Sequence, residues 1–143
     1  MELQLEDVIQ WTVFKRLFDE QNNEIRQKYD IKKVELEVLY FLSRSGDLNT
    51  SSDIHRQLKM NKGHISQAVD ALCSRNYIVP VQDTQDRRYV HYEVQDVAKE
   101  LIEEITQKRH EINELILKDI TEEELQIFRK VSEKIRDNIE NMF

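Results

Sequence analysis

A run of polar residues near the middle of the chain has the chemistry needed to read a DNA duplex. Gln67 can form paired hydrogen bonds with adenine, and Lys62 suits guanine or a phosphate. Helix N-termini also attract phosphate. We therefore predict that the first turns of a helix in this region contact DNA, through Asn61, Lys62, Gly63, His64, Ser66 and Gln67. The alternative interpretation is a capped helix with a polar surface.

A second polar cluster contains adjacent arginines. The sequence QDTQDRR lies between two runs of strand-forming residues, which predicts a β-hairpin with Arg87 and Arg88 in its turn. Arginine is attracted to narrow minor grooves. Asp83 and Asp86 stand close by, so neutralised loop charges are the alternative interpretation. Arg87 and Arg88 are therefore candidates for DNA contact.

The elements around these clusters have the order of a winged helix-turn-helix. Thr50 and Asp53 have the spacing of a capping box, which predicts a short helix over about 51–58. Asn61 is a good N-cap for the next helix, after a turn of about three residues. The hairpin follows directly, so we assign the winged helix-turn-helix to residues 31–94. Ser51, Ser52 and Lys59 could add phosphate contacts, although a solvated surface explains them equally well.

The rest of the chain is predicted to be helical. Apolar residues recur at helical spacing over about 5–28 and 33–45, and Gly46 is typical of the position just after a helix. Two more helices follow the hairpin, and Thr121 with Glu124 forms a second capping box. We predict a mainly α fold with a small β-hairpin, forming a single domain over residues 1–143.

The terminal helices, in 1–30 and 95–143, carry more apolar surface than one small monomer can cover. We therefore predict a homodimer. The residues assigned to its interface are Leu5, Ile9, Leu115, Ile116, Phe128, Ile135 and Ile139. Because a two-fold dimer presents two recognition helices about one DNA turn apart, it favours a near-palindromic operator.

Charge and composition limit the classes of function. The net charge is −7, which disfavours nucleic acid overall, but residues 54–75 hold four basic and one acidic residue. The acidity is concentrated in residues 96–143, with thirteen acidic and eight basic residues. A single cysteine excludes an internal disulfide and suits a reducing compartment, so we expect the cytoplasm.

Other functions lack a sequence signal. No stretch of about eighteen apolar residues is present, so we expect no membrane partner. No glycine-rich phosphate loop or nucleophile elbow is found, and no paired acid motif has a base in register. We therefore expect neither an enzyme nor a bound cofactor.

Residues 31–101 resemble the MarR/SlyA family of transcriptional regulators. The resemblance is carried by SSDIHRQLKMNKGHISQAVDALCSRNYIV, by the wing sequence DTQDRRYVHYEV, and by the lengths of the helical flanks. It implies a DNA-binding homodimer, most often a repressor, that a small ligand can release. It also implies that the second wing arginine enters the minor groove and that Asp83 and Asp86 support the wing.

The resemblance leaves three alternatives open. Some relatives sense oxidants, and Arg75 could lower the pKa of Cys73, although a partly buried, inert thiol is the plainer interpretation. Some sense metals, and His110 with Glu111 and Glu114 is a partial set, but we expect a solvated face and no metal. A dimeric protein-interaction module that has lost DNA binding is the third.

Family members also bind small effectors next to the winged domain. Four aromatic residues are candidates for that role, although aromatic residues at helical spacing more often form core: Trp11, Phe14, Phe18 and Tyr40.

Overall fold

The computed structural model describes residues 2–5 and 11–143, with the backbone alone at residues 11 and 12. The chain divides into two compact units, Met1–Arg109 and His110–Phe143. The helices are α1 (Trp11–Tyr29), α2 (Lys33–Arg44), α3 (Ser51–Leu58), α4 (Lys62–Ser74), α5 (Lys99–Ile116) and α6 (Glu122–Glu140). The strands are β1 (Ile78–Gln82) and β2 (Val90–Val94), and a short 3-10 turn (Asp96–Ala98) precedes α5.

This architecture confirms the predicted fold class, mainly helical with one small hairpin. The predicted first helix began near residue 5, but residues 6–10 lie outside the described residues. Among the described residues, no helix is both long and apolar enough to span a bilayer.

Local signals set the ends of the helices around the turn. Thr50 Oγ1 accepts a hydrogen bond from the Asp53 N–H, and the Asp53 carboxylate accepts one from the Thr50 N–H, so the predicted capping box is confirmed. After α2 and α4 the backbone is left-handed, at Gly46 (φ 57°) and Asn76 (φ 60°). Glycine and asparagine tolerate this conformation best, and the end of α2 before Gly46 is where the sequence predicts it.

The first unit has a hydrophobic core that fixes α4 and the hairpin. Leu36 and Leu39 of α2, Ile54 of α3, Leu72 of α4 and Ile78 of β1 are all at least 98% buried. Burial of each such side chain stabilises the fold by about 1.5–3 kcal/mol. Helix α4 and the hairpin therefore rest on a packed core.

The hairpin is a two-stranded antiparallel sheet in which Ile78 pairs with Val94 and Gln82 with Val90. A sheet of two strands has only edge strands, which accommodates Pro80 in β1. The hairpin is joined to the segment between α2 and α3, because the Tyr92 N–H donates to the Asn49 carbonyl at 3.0 Å.

An arginine that the sequence prediction missed lies half-buried beside two of the aromatic residues. The Arg109 guanidinium lies 4.9 Å from the Phe18 ring centroid and 4.7 Å from that of Tyr40, and it pairs with the Glu37 carboxylate. Phe14 packs edge-on against Phe18, with ring centroids 4.9 Å apart. Phe18 and Tyr40 thus pack against a half-buried cation, while the side chain of Trp11 lies outside the described residues.

Candidate nucleic-acid interface

Helix α4 has one buried face and one polar face. Ile65, Ala68, Val69 and Leu72 are each at most 4% exposed, so they fix the orientation of the helix. The predicted contact residues on this helix are all exposed: Lys62, Gly63, His64, Ser66 and Gln67. The packing of α4 therefore leaves exposed to solvent the residues that the sequence analysis predicts to contact DNA.

Asn61 acts as the cap of this helix. Its side-chain oxygen accepts a hydrogen bond from the Gly63 N–H at 2.7 Å. A Cβ at Gly63 would lie 3.0 Å from that oxygen, so glycine leaves room for the cap. The capping interaction explains both residues locally, and their contact with DNA stays a prediction.

A cleft of 550 Å³ brings predicted residues of α3 and α4 together. Ser51 and Ser52 line it from the first turn of α3, and Lys62 and Ser66 line it from α4. Arg56 also lines this cleft, with its side chain 66% exposed, and the prediction did not include it. The sequence feature that could have identified Arg56 is its position, as a basic residue one helical turn after the predicted serines.

Lys59 lies in the turn between α3 and α4 and does not line this cleft. It is exposed and has a left-handed backbone (φ 52°), and its N–H caps α3 by donating to the His55 carbonyl at 2.9 Å. The local role of Lys59 is therefore to end α3.

A second cleft, of 410 Å³, borders the other side of α4. His64 and Gln67 line it from α4, and Arg26 of α1, Lys32 and Lys33 line it from the α1–α2 junction. Lys33 is paired with Asp19 at 2.8 Å. The sequence prediction missed these three basic residues because their proximity to α4 arises only when the helices pack.

The turn of the hairpin holds its arginines differently. The Asp86 carboxylate accepts from Arg88 Nε at 3.0 Å and from Arg88 Nη2 at 2.8 Å. Arg88 is nonetheless 84% exposed in its side chain, so its guanidinium is oriented and accessible. The Arg87 side chain is exposed and has no ion pair among residues 2–5 and 11–143.

The two wing aspartates are held in their charged form. Hydrogen bonds from the Asp86 backbone, then His91, lower the pKa of Asp83. The Arg88 side chain is the main cause of the lowered pKa of Asp86, and the same contact raises the pKa of Arg88. All three groups are therefore ionised at neutral pH, which preserves the Asp86–Arg88 pair.

Cys73 does not have the environment of a reactive thiol. Partial burial, and then the charge of Asp70, raise its pKa. The suggested effect of Arg75 is wrong, because that guanidinium donates instead to the carbonyls of Tyr29 and Asp30. The thiol is therefore less ionised than an ordinary cysteine at neutral pH.

The residues assigned to a dimer interface are mostly exposed. Leu115, Phe128 and Ile139 are 76%, 59% and 48% exposed, while Ile116 and Ile135 are half-buried. Leu5 is 42% exposed, and Ile9 lies outside the described residues.

The histidine considered for metal binding pairs with an acid. His110 Nε2 lies 3.1 Å from Glu114 Oε1, and both side chains are more than half exposed. Over residues 2–5 and 11–143, no group of three or more potential ligand side chains is suited to hold a metal ion.

Comparisons with known proteins agree with this geometry. Residues 31–96 match the family model of the winged helix DNA-binding domain. An uncharacterised HTH-type transcriptional regulator of Bacillus subtilis strain 168, YpoP, is 22% identical over 102 residues, which are 70% of this chain and 72% of YpoP.

Solved structures resemble the chain over nearly its whole length. A MarR protein from Peptoclostridium difficile DA00132 is 21% identical with a TM-score of 0.77, covering 99% of this chain and 94% of that one. MepR of S. aureus in complex with DNA is 18% identical with a TM-score of 0.73, covering 96% and 99%. The resemblance inferred from sequence is confirmed at the level of the fold: residues 31–96 match the winged helix DNA-binding domain, and the chain has the fold of the MarR-type transcriptional regulators.

Proposed function

We propose that this protein is a sequence-specific DNA-binding repressor that acts as a homodimer on a near-palindromic operator. The observation that carries the proposal is that the first unit exposes two polar surfaces. One is the polar face of α4, including Lys62 and Gln67, and the other is the wing with Arg87 and Arg88. A helix in the major groove with a wing on a neighbouring groove is how this motif reads a duplex.

Local charge supports the proposal despite the acidic total. Residues 54–75 carry a net +3, and the 410 Å³ cleft beside α4 adds Arg26 and Lys32, while Lys33 in that cleft is paired with Asp19. Basic side chains on both sides of a recognition helix suit the phosphate strands that flank a major groove. MepR, which shares the fold, has been solved bound to DNA.

The homodimer is supported by the apolar face of α6. None of its residues is buried, and Ile127, Phe128, Val131 and Ile139 are each 48–59% exposed. An exposed apolar stripe of this length marks a protein interaction site. A two-fold partner would cover it and place two copies of α4 about 34 Å apart, one turn of DNA.

Two finer parts of the proposal rest on the resemblance. The protein would work in the cytoplasm, in agreement with its single free cysteine. A small ligand would release it from the operator, with Phe14, Phe18 and Tyr40 as candidate contacts.

The test begins with a randomised duplex library, from which the full-length protein selects its site. Fluorescence anisotropy then gives the Kd for the recovered duplex at several salt concentrations. We expect a near-palindromic site and an affinity that falls steeply with salt. Replacing Arg87 and Arg88 together with alanine should weaken binding by about a hundredfold.

The matched control replaces Arg16 and Lys99 with alanine, which removes two exposed positive charges that line neither cleft beside α4 and lie outside the wing turn. Its affinity should stay within about threefold of wild type. No enriched site, together with no binding to any duplex at low salt, would overturn the proposal and favour the protein-interaction module.

A further inference from the structure

We propose that His91 is the positioning residue of the wing, which holds Arg88 in place through Asp83 and Asp86. The inference rests on the proposed function, because it concerns how the wing arginine is presented to DNA. It adds a role for a residue that the sequence prediction assigned to neither DNA contact nor wing support.

His91 bridges two parts of the first unit. It lies in β2 opposite Val81, with its side chain 27% exposed. One ring nitrogen, Nε2, lies 2.9 Å from Asp83 Oδ1 at the wing turn. The other, Nδ1, contacts the side-chain oxygen of Asn49, in the segment that precedes α3. The imidazole therefore joins the wing turn to the helix-turn-helix body.

Asp83 connects His91 to the backbone of the wing turn. Its Oδ2 accepts hydrogen bonds from the backbone N–H groups of Gln85 at 3.1 Å and Asp86 at 2.7 Å. Its Oδ1 contacts His91. One oxygen of the carboxylate therefore binds the turn, and the other is linked through His91 to the helix-turn-helix body. A displacement of Asp83 would thus move the backbone of Asp86.

Asp86 links the wing turn to Arg88, the proposed DNA contact. Its carboxylate accepts from the Arg88 backbone N–H at 3.1 Å and from the guanidinium at 2.8 Å. A series of polar contacts therefore runs from Asn49 through His91, Asp83 and Asp86 to Arg88. The turn sequence DTQDRR contains no apolar side chain, so these polar contacts, rather than packing, hold the arginine.

A double-mutant cycle on DNA binding tests the inference. The full-length protein is titrated with its selected duplex as wild type, Arg88→Ala, His91→Ala and the double variant. We expect His91→Ala alone to weaken binding by about fivefold, and to change it less than twofold when Arg88 is already alanine. An equal loss in both backgrounds would show general support of the hairpin and overturn the inference.

Two further variants sharpen the cycle. Asn49→Ala removes the contact between His91 and the helix-turn-helix body. Its effect on DNA affinity should show the same dependence on Arg88, with a smaller loss of affinity. Glu93→Ala, at an exposed position of the same strand, is the matched control and should change the Kd less than twofold.

A measurement without DNA separates this inference from the proposed function. Hydrogen exchange of the Asp86 and Arg88 backbone amides should become at least tenfold faster in His91→Ala, while exchange of the buried Leu72 amide stays unchanged. Unchanged exchange at Asp86 and Arg88 would overturn the role of His91 even if the protein binds DNA. If wild type binds no duplex but exchange responds as expected, the proposed function alone fails.

Discussion

Helices α4 and α6 are both amphipathic, but they leave opposite kinds of surface exposed. Helix α4 buries its apolar side chains in the first unit and presents polar ones, including Lys62 and Gln67. Helix α6 buries none of its residues, and its exposed apolar side chains include Phe128 and Val131. The first surface suits a polar, charged partner such as DNA, and the second suits another protein chain.

The largest expected effect comes from removing the support of α4. Leu72→Ala creates a cavity in the core, since the side chain is fully buried, and should lower the free energy of unfolding by about 2–5 kcal/mol. Urea denaturation at fixed protein concentration measures it. Gln67→Ala, on the exposed face of the same helix, should change it by less than about 0.5 kcal/mol. A loss below 1 kcal/mol for Leu72→Ala would show that α4 does not depend on this core.

The next effect is on association through α6. Replacing Phe128 and Val131 together with aspartate puts two charges on the apolar face, so the dimer dissociation constant should rise by more than about a hundredfold. Sedimentation equilibrium measures it. Gln126→Asp adds a charge at an exposed polar position of the same helix and should leave the constant nearly unchanged. A dimer that persists in the double variant would assign the interface elsewhere.

The polar face of α4 should respond in DNA affinity alone. Lys62→Ala and Gln67→Ala should each weaken operator binding by about tenfold without changing the unfolding free energy, because both side chains are exposed. Anisotropy titration checks the affinity, with Gln57→Ala on α3 as the control. Binding that neither substitution weakens would mean that α4 is not the recognition helix.

The smallest effect concerns the charge state of the wing. Arg88→Ala removes the main cause of the lowered pKa of Asp86, so that pKa should rise, whereas Arg87→Ala should leave it in place. Because folding lowers this pKa, the contribution of the pair to stability is present above the ordinary aspartate range. It is lost as the pH falls through the lowered value. Carboxyl-carbon NMR titration measures the pKa, and an identical value in both variants would contradict the assigned cause.

The features that were predicted most accurately from the sequence are those determined by residues close together in the chain. The Thr50–Asp53 cap, the Asn61 cap and the helix end before Gly46 all depend on residues within a few positions, and the structure confirms each. The hairpin was predicted for the same reason, from strand formers on both sides of a polar turn.

Contacts between distant segments were not predictable in this way. His91 meets Asn49 across 42 positions, and Arg109 meets Glu37 across 72. No local pattern indicates such partners, because packing of separate elements creates them. The alternative in which Arg75 lowers the pKa of Cys73 fails for the converse reason: residues two apart near a helix end point in different directions, so proximity in sequence did not give contact.

The half-buried Arg109 has an evolutionary consequence. Its guanidinium lies between Phe18 and Tyr40 and depends on Glu37 for charge compensation. Loss of Glu37 alone would leave a partly desolvated cation without its partner, at a cost of about 1–3 kcal/mol. Since that is a large part of the stability of a small domain, the two positions should change together among descendants of this sequence. A lineage that keeps Arg109 should keep an acid at position 37.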